Sequence, residues 1–362
     1  MAAHRSATRA LARAFTSRTA AAPAARVARP FTVSAFRANA VHEKEVPIVS
    51  WPATKDGKSS IPVNPGQQAV KEEPAEPTEV VPLTAEAYEK MTPMMQKMTV
   101  YGKVIIITGY VPLHQEKKKC GARGLGNHMA RACAEAGAKA LVLFDANEEL
   151  GKESANELYQ KTKIPVTFLK VDVRDGDAIN AAVDRVVELY GCPDVLVNSA
   201  GIADSNIKAE EYDSSMFRRL IDINLTGTFL MSQAVGKKMI AHGKPGSIVL
   251  VASMSGTIVN YPQEQSCYNA SKAGVVQFGK SIAAEWAKHN IRVNCISPGY
   301  MDTALNRVPT LEGQKKIWRS LTPQDRLGAV DDLNGLCVFL ASDASGFMTG
   351  SNVLIDGGYS CY

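Results

Sequence analysis

Nowhere do the 362 residues hold the roughly 20 consecutive apolar residues that a membrane-crossing helix needs. The longest apolar runs, residues 103–108 and 246–252, stop far short, so no transmembrane helix and no membrane partner is expected. No Cys-x-x-Cys pair occurs. The seven cysteines (Cys120, Cys133, Cys192, Cys267, Cys295, Cys337, Cys361) are scattered and odd in number. That pattern suits free thiols in a reducing compartment and gives neither a metal site nor a disulfide frame. Acidic residues are missing from residues 1–40, which also lack lysine but hold seven arginines. Taking those seven from the net charge of +5 leaves a body of −2, so no nucleic-acid partner is expected. With 45% hydrophobic and 21% charged residues, the chain is not disordered throughout.

The arginine-rich stretch reads as an address. Arg5, Arg9 and Arg13 stand one helical turn apart among Ala, Ser and Thr, which is the mitochondrial presequence pattern. A secretory signal would need an unbroken apolar centre, and Arg9 and Arg13 interrupt it. The expectation is a mitochondrial matrix protein with a presequence over residues 1–40. An arginine-rich tail with no address is the alternative. Residues 41–99 read as a Pro-rich, largely extended arm, with eight prolines between Pro47 and Pro93. Residues 100–362 suffice for one single-core domain.

Within that domain short β-rich runs alternate with amphipathic stretches. Strands are expected at 103–108, 140–144, 166–171, 194–198, 247–252, 291–296 and 352–355. Helices are expected at 127–137, 148–161, 177–190, 216–241, 271–288 and 331–340. Strands apolar on both faces, alternating with helices, imply an α/β fold with a doubly wound, Rossmann-type parallel sheet. Its ligand crevice lies at the carboxyl ends of the strands.

Chemistry-bearing residues collect at those ends. Thr108-Gly109 follows the first strand, and Gly121-Ala122-Arg123-Gly124-Leu125-Gly126 opens the next helix. Glycines there let the backbone approach a pyrophosphate, and the helix N-terminus offers free N–H groups. Asp145 ends the second strand. A carboxylate there can hold the ribose hydroxyls of an adenosine and would repel a 2′-phosphate, which favours NAD over NADP. Capping of the next helix is its alternative role, and Arg123 keeps NADP open. Tyr268 and Lys272, four apart, share a helix face, where a cation would lower the phenol's pKa. Such a pair arises by chance roughly once in a chain this long. Ser253 closes a strand fifteen residues earlier, and Asn224 sits inside a long helix, an unfavourable place for asparagine.

Taken together these residues resemble the short-chain dehydrogenase/reductase family from about residue 101 onward. The matching pieces are the glycine motif, Asp172-Val173, Asn198-Ser199-Ala200-Gly201, Ser297-Pro298-Gly299 and Ile355-Asp356-Gly357-Gly358. Asn224, Ser253, Tyr268 and Lys272 match the family's catalytic tetrad. The resemblance implies hydride transfer between a nicotinamide cofactor and an alcohol or ketone, and a homo-oligomer, dimer or tetramer. It gives Tyr268 the proton transfer, Ser253 the carbonyl, Lys272 the nicotinamide ribose and Asn224 a relay water. Thr108, Gly109, Arg123, Gly124, Leu125, Gly126, Asp145, Asp172, Val173, Asn198, Ala200, Gly201, Pro298, Gly299, Met301 and Thr303 would line the cofactor. Residues 300–326 would form the substrate lid. The stretches around Ser253 and Tyr268 are similar to fungal polyol dehydrogenases and ketose reductases: arabinitol 2-dehydrogenase, sorbose reductase and mannitol 2-dehydrogenase. A 3-oxoacyl carrier-protein reductase and a non-catalytic member are the alternatives. Two departures stand out. Ser199 replaces the usual second asparagine, and residues 110–120 interrupt the glycine motif as an apparent insertion.

Overall fold

Strand β1 (Val104–Thr108) is buried along its whole length, as a strand covered on both faces must be. The computed structural model that shows this describes residues 81–109, 124–303, 306 and 311–362. The expected presequence, most of the expected arm, the interruption at 110–120, and Gly121, Ala122 and Arg123 lie outside the described residues. Parallel to β1 run β2 (Ala140–Asp145) on one side and β4 (Val195–Asn198) on the other. β3 (Val166–Lys170) lies beyond β2. β5 (Gly246–Val251), β6 (Ile291–Pro298) and β7 (Asn352–Ile355) extend the sheet beyond β4. The order is β3-β2-β1-β4-β5-β6-β7. Between β1 and β4 the winding reverses, which opens a crevice at their carboxyl ends.

Successive side chains of a strand point to opposite faces, so each strand feeds two cores. Ile106, Val142 and Phe144 pack with Ile179 and Val183 of one helix and Met231 and Val235 of another. Ile105, Ile107, Leu141 and Leu143 pack on the other face with Met129, Leu158 and Leu340. Truncating a fully buried residue such as Ile106 to alanine would cost about 2–5 kcal/mol.

Ten α-helices are described. Two short ones, α1 (Ala85–Glu89) and α2 (Pro93–Lys97), fall within the segment expected to be extended. Pro93 occupies the first turn, where its missing N–H is no loss, so it starts a helix instead of breaking one. Thr84 and Thr92 cap the two helices. The arm is fastened to the end of α3 (Leu125–Glu135): Leu83 N–H donates to Glu135 O at 3.1 Å and Val100 N–H to Ala136 O at 3.1 Å. α4 (Glu148–Thr162) and α5 (Gly176–Tyr190) follow as expected. The single helix expected at 216–241 is two, α6 (Ser214–Ile221) and α7 (Gly227–Ala241), joined by a π turn at Asp222–Thr226. The wider turn carries Asn224. α8 (Ser266–Trp286) starts five residues before the expected boundary and so includes Tyr268. α9 (Glu312–Ser320) lies in the expected lid, and α10 (Asn334–Ala341) follows a 3₁₀ turn at Val330–Leu333.

Candidate active site

Thr108, at the end of β1, anchors the crevice. Its Oγ1 donates to Asn198 Oδ1 at 2.9 Å and accepts the N–H groups of Ser199 and Ala200 at 3.1 and 3.0 Å. Asn198 Nδ2 donates to Thr228 O at 3.1 Å, tying β4 to α7. Gly109 turns the chain at φ +67°, and a Cβ there would lie 2.4 Å from Ala200 Cα. Only glycine fits that position. A Cβ on Gly126, in the first turn of α3, would meet Ser199 Oγ at 2.7 Å and Gly109 O at 2.8 Å. Ser199, the departure noted in the sequence, donates its hydroxyl to Thr108 O. Gly124 and Leu125 start α3 from this point, so its free N–H groups open at the end of β1.

Asp145 is placed beside this turn, because Thr108 pairs with Phe144. Its Oδ1 accepts Asn147 N–H at 2.9 Å, and Asn147 itself caps α4 through Leu150 N–H at 3.1 Å. The capping role therefore belongs to Asn147. Asp172, just past β3, is gripped by Arg174: Nε lies 3.0 and 3.1 Å from its two oxygens and Nη2 lies 2.5 Å away. That guanidinium holds the Asp172 carboxyl below the usual range. Val173 packs on α7, where a Cβ on Gly227 would lie 2.7 Å from Val173 Cγ2.

The four tetrad candidates come together at the ends of β4 and β5. Lys272 is 5% exposed, and its Nζ donates to Val251 O at 2.9 Å, 5.8 Å from the Tyr268 ring centroid. Burial lowers its pKa to about 8. Desolvation raises the pKa of the Tyr268 phenol, and the neighbouring Ser253 offsets this in part. This corrects the expectation that the ammonium draws the phenol down: in the cofactor-free protein desolvation governs both groups. Asn224 is fully buried. Its Oδ1 accepts Ile202 N–H at 2.8 Å, and its Nδ2 donates to Ile202 O at 2.9 Å and Ser271 Oγ at 3.0 Å. A Cβ on Gly201 would lie 3.2 Å from Asn224 Oδ1 and 3.4 Å from Lys272 Nζ, so β4's exit loop covers this pair.

A partly buried phenol beside a buried hydroxyl and a buried ammonium, at the carboxyl edge of a parallel sheet, can move a proton to or from a carbinol oxygen. The family described as enoyl-(acyl carrier protein) reductase matches residues 121–360. The chain belongs to the short-chain dehydrogenase/reductase family. This dehydrogenase is 37% identical to an NADP-dependent mannitol dehydrogenase of Hypocrea jecorina, over 74% of this chain and 96% of that one. It is 38% identical to a ribulose-forming D-arabinitol 2-dehydrogenase of Candida tropicalis, over 72% and 93% of the two chains. The crystal structure of a Burkholderia cenocepacia gluconate 5-dehydrogenase, in complex with NADP and tartrate, superimposes with a TM-score of 0.66. That protein is 31% identical, with 74% and 99% of the two chains covered. The enzyme is therefore an NAD(P)-dependent oxidoreductase acting on CH–OH groups.

The residues of the dehydrogenase fit a nicotinamide cofactor. Lys272 has one acceptor among the hydrogen bonds described, Val251 O, and its remaining N–H groups are free to meet ribose hydroxyls. At the far side of the crevice, β6 ends at Pro298, and a Cβ on Gly299 would lie 2.7 Å from Asp356 Cα. Met301 bridges to Gly328, and Thr303 N–H donates to Met301 O at 2.8 Å. Pro298, Gly299, Met301 and Thr303 thus form one stretch leading into the segment expected to be the lid. A cavity of about 240 Å³ beside it is lined by Tyr300, Gln324, Arg326 and Asp356, among others, and by none of Ser253, Tyr268 or Lys272. Gly299 and Met301 of that stretch line it as well.

Sequence reasoning missed several residues. Ser271, one turn from Tyr268 on α8, holds Asn224; its place beside Lys272 was the available signal. Tyr300 stacks on Trp318 at 4.2 Å and receives Asn260 Nδ2 at 3.0 Å. Ser255, Gln263 and Gln265 join Ser253 to Trp318 through hydrogen bonds, and nothing in their spacing pointed there.

Proposed function

We propose that the enzyme interconverts a polyol and its ketose by hydride transfer. The observation that carries this reading is the buried Lys272 ammonium, held by Val251 O and 5.8 Å from the Tyr268 ring centroid, with Ser253 at the end of the adjoining strand. Names among the relatives, mannitol and D-arabinitol dehydrogenases, support the substrate class. In the reducing direction Ser253 donates a hydrogen bond to the substrate carbonyl, and Tyr268 passes its proton to that oxygen as the carbinol forms. The bound nicotinamide supplies the hydride in reduction and accepts it in oxidation. Lys272 holds the nicotinamide ribose and returns a proton to Tyr268. Asn224 has its amide engaged by Ile202 and Ser271, while its carbonyl oxygen receives Thr228 Oγ1 at 2.7 Å. That oxygen keeps a second lone pair for the relay water.

NAD is the proposed cofactor, because a carboxylate at Asp145 repels a 2′-phosphate. NADP, named for the mannitol dehydrogenase relative, is the competing choice. Thr108, Gly109, Gly124, Leu125, Gly126, Asp172, Val173, Asn198, Ala200 and Gly201 would shape its adenosine and pyrophosphate side. Arg123, outside the described residues, would add a phosphate contact. Pro298, Gly299, Met301 and Thr303 would face the nicotinamide.

Steady-state assays with mannitol, arabinitol and sorbitol, and with the matching ketoses, decide the substrate class when run with each cofactor. Turnover of acetoacetyl thioesters and of no polyol or ketose would replace this reading with a 3-oxoacyl carrier-protein reductase. Residues 1–40 are proposed to direct mitochondrial import with cleavage near residues 37–42. A mature protein beginning at residue 2 would end that idea. Homo-oligomeric assembly is proposed on family grounds, and light scattering tests it.

A further inference from the structure

The helix α9 spans nine residues, and among them Trp318 alone is buried. A helix of that length is marginal by itself in water, so its side-chain contacts decide where it lies. Those contacts reach the exits of three strands. Trp318 stacks on Tyr300, just past β6, with ring centroids 4.2 Å apart and planes 7° from parallel. Trp318 Nε1 donates at 2.9 Å to Oε1 of Gln263, in the loop that leaves β5. Gln314, one turn earlier on α9, sends Nε2 to that same oxygen at 3.3 Å. The same Nε2 lies 3.2 Å from Oδ1 of Asn206, in the loop that leaves β4. The two loops also meet each other, Ile207 N–H donating to Glu264 O at 3.2 Å.

Ser253 stands where β5 ends, and Gly201, against Asn224 and Lys272, follows the end of β4. A helix fastened to both exit loops therefore crosses the mouth of the crevice that holds these groups. Gln263 is the centre of the fastening. It is 6% exposed, and its Oε1 has two lone pairs, one for Trp318 and one for Gln314. Its Nε2 is engaged by Gln265 Oε1 at 3.2 Å, which holds the amide with its oxygen toward α9. An indole N–H only donates, so Trp318 requires the same orientation. Among the hydrogen bonds described, Gln263 Oε1 is the one acceptor of that indole, and a buried donor left without a partner is costly.

We propose that Gln263 is a positioning residue that latches α9 closed across the crevice, with Gln314 as the second arm of the latch. A closed lid excludes water and completes the wall around the substrate. When the lid is open part of the time, the apparent substrate affinity falls with the closed fraction, while saturating substrate restores the closed form. The effect on substrate rests on the proposed function; the latch itself does not.

Gln263→Met keeps the length of the side chain and removes the acceptor. Trypsin reads the lid directly, because Lys315, Lys316 and Arg319 lie in α9. Cleavage after these residues, located by mass spectrometry, follows the population of the open form. It is expected to run at least about tenfold faster in Gln263→Met, which loses two hydrogen bonds, and about threefold faster in Gln314→Met, which keeps the indole bond. Trp318→Phe keeps the stacking and loses the N–H, so adding it to Gln263→Met should bring little further increase. With the substrate of the enzyme, KM is expected to rise at least about threefold in Gln263→Met while kcat stays within about twofold. Unchanged cleavage in α9, faster cleavage spread over the whole domain, or full additivity in the double variant would each overturn the latch. Faster lid cleavage with an unchanged KM would overturn its part in holding substrate. The trypsin assay needs no substrate, so a wild type that turns over no polyol or ketose ends the proposed function while cleavage still decides the latch. Should Gln263→Met fail to fold, Gln314→Met and Trp318→Phe carry the comparison, each with faster cleavage confined to α9.

Discussion

Replacing Lys272 with methionine removes a charge that the fold itself resists. The ammonium is buried, its pKa falls from the ordinary 10.5 to about 8, and desolvation is the main cause. Between those two pH values the unfolded chain holds a proton that the folded chain does not. Stability therefore rises with pH across that window and is flat below it. At neutral pH the folded state carries the whole cost, about 3 kcal/mol. Methionine keeps the packing of the stem, while Val251 O loses its 2.9 Å N–H donor, a cost of about 1 kcal/mol. Lys272→Met is therefore expected to be more stable than wild type by about 2 kcal/mol at pH 7. The advantage should shrink as pH rises and reverse above about pH 10, where lysine is neutral in both states. Urea denaturation of the cofactor-free protein at pH 7 and pH 10 measures both values. A variant less stable than wild type at pH 7, or a difference that ignores pH, would refute the reasoning. Turnover should collapse in the same variant, since the proposed function needs the ammonium.

Three other outcomes are expected. Tyr268→Phe should lower kcat by about 10² or more with cofactor affinity nearly unchanged, and activity within about threefold of wild type would remove Tyr268 from proton transfer. Asp145→Ala should weaken NAD binding and relax discrimination against NADP, as read from kcat/KM with each; a wild type that already prefers NADP would sink the assignment. Gly109→Ala should destabilise the protein by about 3 kcal/mol, because the new Cβ meets the Ala200 backbone from a left-handed conformation. A loss under about 1 kcal/mol in denaturation would show that the β1–β4 crossing can relax.

The sheet was legible because its strands carry unbroken apolar runs such as Ile105–Ile106–Ile107, whose two-sided burial leaves few other arrangements. The shared helix face of Tyr268 and Lys272 was legible from their spacing, since four residues close about one helical turn, but their role was legible only beside Asn224, Ser253 and the glycine motif. Asn224 was noticed as misplaced in a helix, but the π turn that accommodates it has no signature in the residue order. Pro93 misled through its ordinary role as a breaker, when a first-turn position makes it a starter. The lid helix α9 went unread, and with it the polar line to Ser253. Trp318 lies 55 residues from Gln263, so their hydrogen bond exists only once the chain is folded.

The arm that precedes the domain is fastened to the C-terminal end of α3, on the side where the strands begin. The reacting groups lie where the strands end, a separation of about 17 Å for a strand of five residues. The first described residues of the arm therefore stand at the edge of the sheet opposite the reacting groups. Fixed to a bead or an electrode by that end, the enzyme would present its crevice to the solution, whereas attachment through the lid would smother it.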